Sequence, residues 1–111
     1  MASKYHARKI VREGMAFDSV KEYNRYCELR LIERSGAITD LQRQVKFVLL
    51  PVQRVDGKVV ERACTYIADF VYKERGETVV EDVKSAATKT KDYIIKRKLL
   101  LHTHGLRVKE V

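Results

Sequence analysis

Residues 66–84 read YIADFVYKERGETVVEDVK, and the reading of this stretch decides the fold. The flanking runs, residues 64–72 (CTYIADFVY) and 78–84 (TVVEDVK), are rich in β-branched and aromatic side chains, the composition of strands. Between them KERGE is charged and carries one glycine, which predicts a hairpin turn centred on Arg75-Gly76. That register sets Asp69 opposite Asp82. Directly opposed side chains have Cβ atoms about 4.5–5.5 Å apart. Alternation along each strand puts Ile67, Asp69 and Val71 on one face, and Val80, Asp82 and Lys84 on one face. Asp82 and Lys84 are then about 7 Å apart along the strand. The expectation is that the Asp69 and Asp82 carboxylates share a sheet face beside the Lys84 amine, with Glu81 pointing to the other.

Two carboxylates that close repel unless a cation sits between them. A hard divalent ion such as Mg²⁺ suits the spacing, because it binds through one or two carboxylates and keeps several waters. Lys84 could then orient or deprotonate an attacking water, or stabilise charge that builds up on a phosphate. A solvated hairpin face with a salt-bridged lysine accounts for the same residues and stands beside the metal reading.

Composition narrows the partners. The chain has 111 residues, 23 Lys plus Arg against 15 Asp plus Glu, and a formal charge of +8. One domain spanning 1–111 is expected from that length. The basic balance favours a polyanionic partner, nucleic acid or an anionic surface. No apolar run nears the ~20 residues that span a bilayer, and MASKYHARK at the start lacks the apolar segment of a signal peptide. A cytoplasmic protein without a membrane partner is therefore expected. The basic residues are scattered over all elements and form no Lys/Arg-rich amphipathic segment, which argues against a membrane-surface role. Cys27 and Cys64 form no metal-ligand spacing and are read as reduced, small hydrophobes.

The rest of the chain builds around the hairpin. After the basic lead-in at 4–9, a phosphate-contacting arm or simply a solvated terminus, KIVREGMAF predicts a short strand or hairpin. A helix over Val20–Ser35 follows, stopped by Gly36. Ser19 is its N-cap and Ser19-x-x-Glu22 has the spacing of a capping box. Tyr23, Tyr26, Cys27, Leu31 and Ile32 form its core-facing stripe. A strand at 43–50 (RQVKFVLL) ends at Pro51, and Asp56-Gly57 is a strong two-residue hairpin signal. With the turn centred there, Gln44 faces Asp69, either as an amide that binds a water or phosphate or as an ordinary cross-strand polar pair. Past Lys84, Thr88 and Thr90 are caps for a helix at 91–103, stopped by Gly105, with Ile94, Ile95, Leu99 and Leu101 as core candidates. Lys89, Lys91, Lys96 and Arg97 give that region a basic side near the Asp-x-Lys segment, suited to gripping a DNA backbone, although such a run is also what a solvated face looks like. LRVKEV at the end reads as a last strand, parallel to 79–84. The sum is an α+β chain with the order α-β-β-β-α-β and a mixed sheet flanked by helices.

Asp69, a strand-length gap, then Asp82-Val83-Lys84 resembles the PD-(D/E)XK motif of the restriction-endonuclease-like nucleases. Four blocks in order, KYHARK at 4–9, FDSVKEYNRYCEL at 17–29, ERACTYIADF at 61–70 and VVEDVKS at 79–85, resemble a family of small phage and prophage proteins. One departure is Ala68 where the motif has proline. The resemblance implies the restriction-endonuclease-like core and a Mg²⁺-dependent DNA endonuclease, with Mn²⁺ as a substitute ion. It implies a metal held by Glu22, Asp69 and Asp82, and Lys84 assisting the water. With few residues beyond such a core to read bases, cleavage selective for branched DNA (Holliday junctions or flaps, in phage recombination or replication) is expected over sequence-specific restriction. Two symmetric cuts would require a homodimer. The rival is a non-catalytic, basic nucleic-acid-binding protein in which Asp69 and Asp82 are structural.

Overall fold

The computed structural model describes residues 9–111, so all but the last residue of the 4–9 lead-in lies outside the described residues. A small hairpin, β1 (Ile10–Arg12) and β2 (Met15–Phe17), leads into α1 (Val20–Arg34). The long β3 (Thr39–Leu50) follows, then the short pair β4 (Gln53–Val55) and β5 (Lys58–Glu61). After these come β6 (Cys64–Glu74), β7 (Glu77–Asp82), a 3-10 turn at Ala86–Thr88, α2 (Lys91–His104) and β8 (Val108–Glu110). The main sheet has the order β3-β6-β7-β8. β6 is antiparallel to β3 and β7, while β8 runs parallel to β7. This is the mixed α+β layout expected from the sequence.

Both turn signals set the registers as read. Phe70 pairs with Glu81 and Val71 with Val80, which brings Asp69 level with Asp82. Arg43 pairs with Phe70 and Val45 with Ala68, which brings Gln44 level with Asp69. Asp56 and Gly57 both take positive φ, as a two-residue hairpin turn with the sheet's twist demands. Pro51 follows directly on the end of β3, where a residue without an N–H breaks no ladder.

Two layers of core lie on opposite faces of the sheet. Toward α2 are Leu49, Tyr66, Ala68 and Val80 with Tyr93 and Leu100. Toward α1 are Ile38, Phe70 and Tyr72 with Leu29. Both helices differ from their expected stripes. On α1 the buried positions are Glu22 and Leu29, with Tyr26 and Ile32 partly buried and Leu31 in solvent. On α2 they are Tyr93 and Leu100, with Ile94 and Leu99 packed beside them, while Ile95 and Leu101 are exposed. A run such as LLL at 99–101 offers three neighbouring phases, and only packing selects the one that faces the sheet. Cys27 and Cys64 are both free and half-buried.

Where the two core layers meet, the sheet changes face. Ala68 belongs to the α2 side and Phe70 to the α1 side, although residues two apart on a regular strand share a face. The irregularity sits at the Gln44–Asp69 level, where Gln44 has φ 53°. There the β6–β7 ladder also opens. Its last regular pair is Phe70–Glu81, and the next hydrogen bonds come from side chains.

Candidate metal site

The opening between β6 and β7 is closed by two aspartates acting on each other's strands. The Asp69 N–H donates to Asp82 Oδ1 at 2.8 Å, and the Val83 N–H donates to Asp69 Oδ2 at 2.9 Å. Carboxylates thus take over two ladder positions, which fixes both side chains without rotamer freedom. β7 keeps its alternation, so Asp82 shares the α2 face of Val80 while Glu81 turns to α1. β6 has lost its alternation at this point, and Asp69 turns to α1.

This corrects the expectation of one shared face. Asp82 is 2 % exposed, accepts the Tyr66 hydroxyl, and lies 3.8 Å from Lys84 Nζ. Lys84 in turn sits 4.3 Å from the centre of the Tyr93 ring, a cation–π placement. Asp69 instead faces α1, where Asp18, Glu22 and Asp69 each bring a carboxylate oxygen within 4.8 Å of the others. The cluster that forms is therefore Asp18, Glu22 and Asp69, and Asp82 stands outside it as the brace behind Asp69. Glu81 does take the face opposite to Asp82, where Arg25 grips it through two hydrogen bonds and Tyr72 donates a third.

Glu22 shows how the sequence prepares this cluster. The Ser19 Oγ accepts the Glu22 N–H at 3.0 Å, as an N-cap should. The glutamate does not return the favour in capping-box fashion. Its Oε2 accepts the Asp18 N–H at 2.6 Å, and its Oε1 accepts from Gln44 Nε2 at 3.0 Å. Gln44 also lies 3.4 Å from Asp69 Oδ1, so the amide links the glutamate to the aspartate as its register position allowed. At 1 % exposure Glu22 is as buried as the core.

Burial pushes the Glu22 carboxyl up to about 7; the Asp18 N–H pulls it down, the charges of Asp69 and Asp18 add to the rise, and Arg43 opposes it. Asp69 is raised chiefly by burial, against the Val83 N–H and the charge of Lys84. Burial likewise lifts Asp82 to about 6, held back by the Asp69 N–H and Lys84. Three acids that resist ionisation crowd one small region, and each would ionise more readily beside a cation. The donors are all carboxylate oxygens, which fits a hard divalent ion such as Mg²⁺ and not a thiophilic one.

Two contributors escaped the sequence reading. Asp18 lies inside the block FDSVKE, but directly before an N-cap it looks like part of a turn. Its signal was position: it precedes the helix whose first turn carries Glu22. Arg43 stacks over Phe17 with its Cζ 4.0 Å from the ring centre and donates to the Ala16 carbonyl at 2.6 Å, bringing a cation toward Glu22.

The basic residues read from the sequence fare differently. Lys89 and Arg97 both bind Glu110, each at 2.8 Å, and Tyr93 donates to the same carboxylate at 2.6 Å. Lys89, with Tyr93 and Arg97, holds the Glu110 carboxyl down to about 2. Lys96 pairs with Asp92 at 3.6 Å along the helix. Lys91 alone of the four makes no ion pair among the described residues. If this side of α2 contacts phosphates, Lys91→Ala and Lys96→Ala should each weaken nucleic-acid binding similarly across sequences and lower the salt slope by about one unit. Unchanged affinity in filter binding for both variants would remove this helix from the interface. Lys89 and Arg97 should act chiefly by holding the end of β8, Lys89 to the loop before α2 and Arg97 to α2 itself.

No helix is long and apolar enough to cross a membrane among the described residues. No curated protein and no solved structure matches the chain. The family model described as "Protein of unknown function (DUF1064)" matches residues 2–109. That span takes in the acidic cluster, its braces and all of the main sheet but the last residue of β8, and the chain belongs to the DUF1064 family.

Proposed function

We propose that the protein is a Mg²⁺-dependent DNA endonuclease of the PD-(D/E)XK type. The observation that carries this reading is the convergence of Glu22 and Asp69, with Asp18, within 4.8 Å at the point where the sheet opens. Lys84 stands behind them against Asp82. Glu22, Asp69 and Asp18 would hold the ion, and Gln44 aligns the first two. The ion, when bound, supplies charge stabilisation to a phosphodiester and a lowered pKa for water. The Asp82 carboxylate, bound by Tyr66 and the Asp69 N–H, fixes the backbone that carries Asp69. It also holds the Lys84 ammonium at 3.8 Å, near the site, where that charge can stabilise charge on a phosphate oxygen. The basic surface, +8 over the chain, draws the polyanion in.

The rival is a non-catalytic nucleic-acid-binding protein, and the reciprocal bonds of Asp69 and Asp82 favour it, since they give both acids a structural task. One assay separates the two. Four-way junction, flap, single-stranded and plain duplex DNA are incubated with the protein, with and without Mg²⁺ or Mn²⁺. Cleavage that needs the metal, strongest on the branched substrates, is the expected result. Binding without cleavage on all four, at any metal concentration, sustains the rival.

A further inference from the structure

β8 is an edge strand of the main sheet, and a groove of about 710 Å³ runs between it and the flank of α2. Four cations line the groove, Arg97 and Lys98 from the helix, Lys109 from the strand and Arg107 directly before it. The one acid on the lining, Glu110, is claimed twice over, since Lys89 and Arg97 each reach it at 2.8 Å. Lys109 makes only a long contact of 3.9 Å with Glu81. Lys98 and Arg107 are exposed and make neither an ion pair nor a side-chain hydrogen bond among the described residues. Lys91 stands seven residues before Lys98, on the same side of α2 and about 10 Å away along its axis, so the row of cations continues beyond the groove. A second groove, between α1 and the end of β7, also has two cations, but both are engaged. There Lys21 donates to the Lys84 carbonyl, and Arg25 binds Glu28 and Glu81.

We infer that the groove between α2 and β8 binds the sugar–phosphate backbone of DNA, along a stretch that the metal cluster does not act on. Charge selects a polyanion, because a concave surface lined by one sign of charge focuses its field outward. Shape selects among polyanions. β8 has three residues, too short a ladder to hold an added peptide strand, and a row of cations set in a groove suits a chain of phosphates better than a flat lipid surface. Among the described residues no aromatic ring lines the groove to stack a base. What remains is Lys and Arg, the side chains that position a nucleic acid through its phosphates. α2 and α1 pack on opposite faces of the sheet, and the acidic cluster faces α1, so groove and cluster hold different stretches of the DNA. The inference rests on the nucleic-acid partner of the nuclease reading and not on cleavage.

Fluorescence anisotropy of a labelled plain duplex with the full chain, in EDTA and over a range of salt, tests it. Lys98→Ala and Arg107→Ala should each lower the salt slope by about 0.9, which weakens binding about eightfold at ~0.1 M salt relative to ~1 M. The melting temperature should stay as in the wild type, since neither side chain holds another. Lys58→Ala removes an exposed cation from β5, which pairs only with β4, and should change neither affinity nor slope. Binding that depends on Lys98 and Arg107 in a protein that never cuts DNA supports the groove and counts against the nuclease. A protein that cuts, yet whose affinity ignores both substitutions, overturns the groove alone. A wild type that binds no duplex overturns it as well, and so does an equal loss in Lys58→Ala. Poly-glutamate bound more tightly than the duplex, and released by the same two substitutions, would make the groove a seat for an acidic protein segment and overturn the inference too.

Discussion

Glu22→Gln and Asp69→Asn are each expected to lower Mg²⁺-dependent cleavage by at least about 10³-fold, equivalent to ~4 kcal/mol of transition-state stabilisation, while both variants remain folded. The fold should survive because each amide keeps the hydrogen bonds that matter. A glutamine at 22 still offers a carbonyl oxygen to the Asp18 N–H, and the Ser19 cap uses only the backbone of residue 22. An asparagine at 69 can still accept the Val83 N–H. Each substitution removes a charge from the cluster and nothing from the core. Asp82→Asn supplies the contrast. Its carbonyl oxygen can still accept the Asp69 N–H, but the charge that holds Lys84 is gone, so cleavage should fall with the metal still binding. Single-turnover rates on junction DNA decide the matter. A Glu22→Gln variant that cuts at the wild-type rate returns Glu22 to helix capping alone.

The registers were legible in the sequence because turn residues are local signals. Asp56-Gly57 and Arg75-Gly76 each pin a hairpin; from the second, pairing propagates by counting, and from the first it passes through two opposite register shifts, between Gln53 and Arg54 and between Val48 and Leu50, that cancel. That counting rightly brought Gln44, Asp69 and Asp82 to one level. It could not say which way Asp69 points, because alternation was carried through a place where it fails. The failure sits at Gln44, a non-glycine residue with positive φ, and no residue type there announces it. Glu22 was legible only through the FDSVKE resemblance; hydrophobic periodicity discards a buried glutamate and so also misplaced the phase of α1, where Leu29 takes the core position and Leu31 does not. The basic side of α2 was legible as composition, but Glu110, which claims Lys89 and Arg97, arrives from a strand whose pairing is long-range.

Acidification is expected to stabilise the metal-free protein relative to its Glu22→Gln variant, the reverse of the usual behaviour of a native carboxylate. Below the ordinary value of 4.5 Glu22 is protonated folded or unfolded and contributes nothing to pH dependence. Between 4.5 and about 7 the unfolded chain has lost this proton while the native one retains it, so the native state loses stability as pH rises. The loss is complete above the folded value and amounts to on the order of 3 kcal/mol. The groups facing Glu22 set the size: Asp18 and Asp69 by charge, with the Asp18 N–H and Arg43 opposing them. Glutamine cannot titrate, so urea unfolding of both proteins from pH 4 to pH 8 should show Glu22→Gln gaining steadily on the wild type. A divalent ion on Asp18, Glu22 and Asp69 would displace the retained proton, so binding should strengthen with pH. Mg²⁺ at about a hundred times its dissociation constant would add ~2.7 kcal/mol, a rise of roughly 10 °C or more in melting temperature for a domain of this size. The wild type should show that rise at pH 8 and little of it at pH 5, and Glu22→Gln should show little at either. A wild-type melting temperature indifferent to Mg²⁺ at pH 8 would leave the three carboxylates as a buried polar network with no ion to hold.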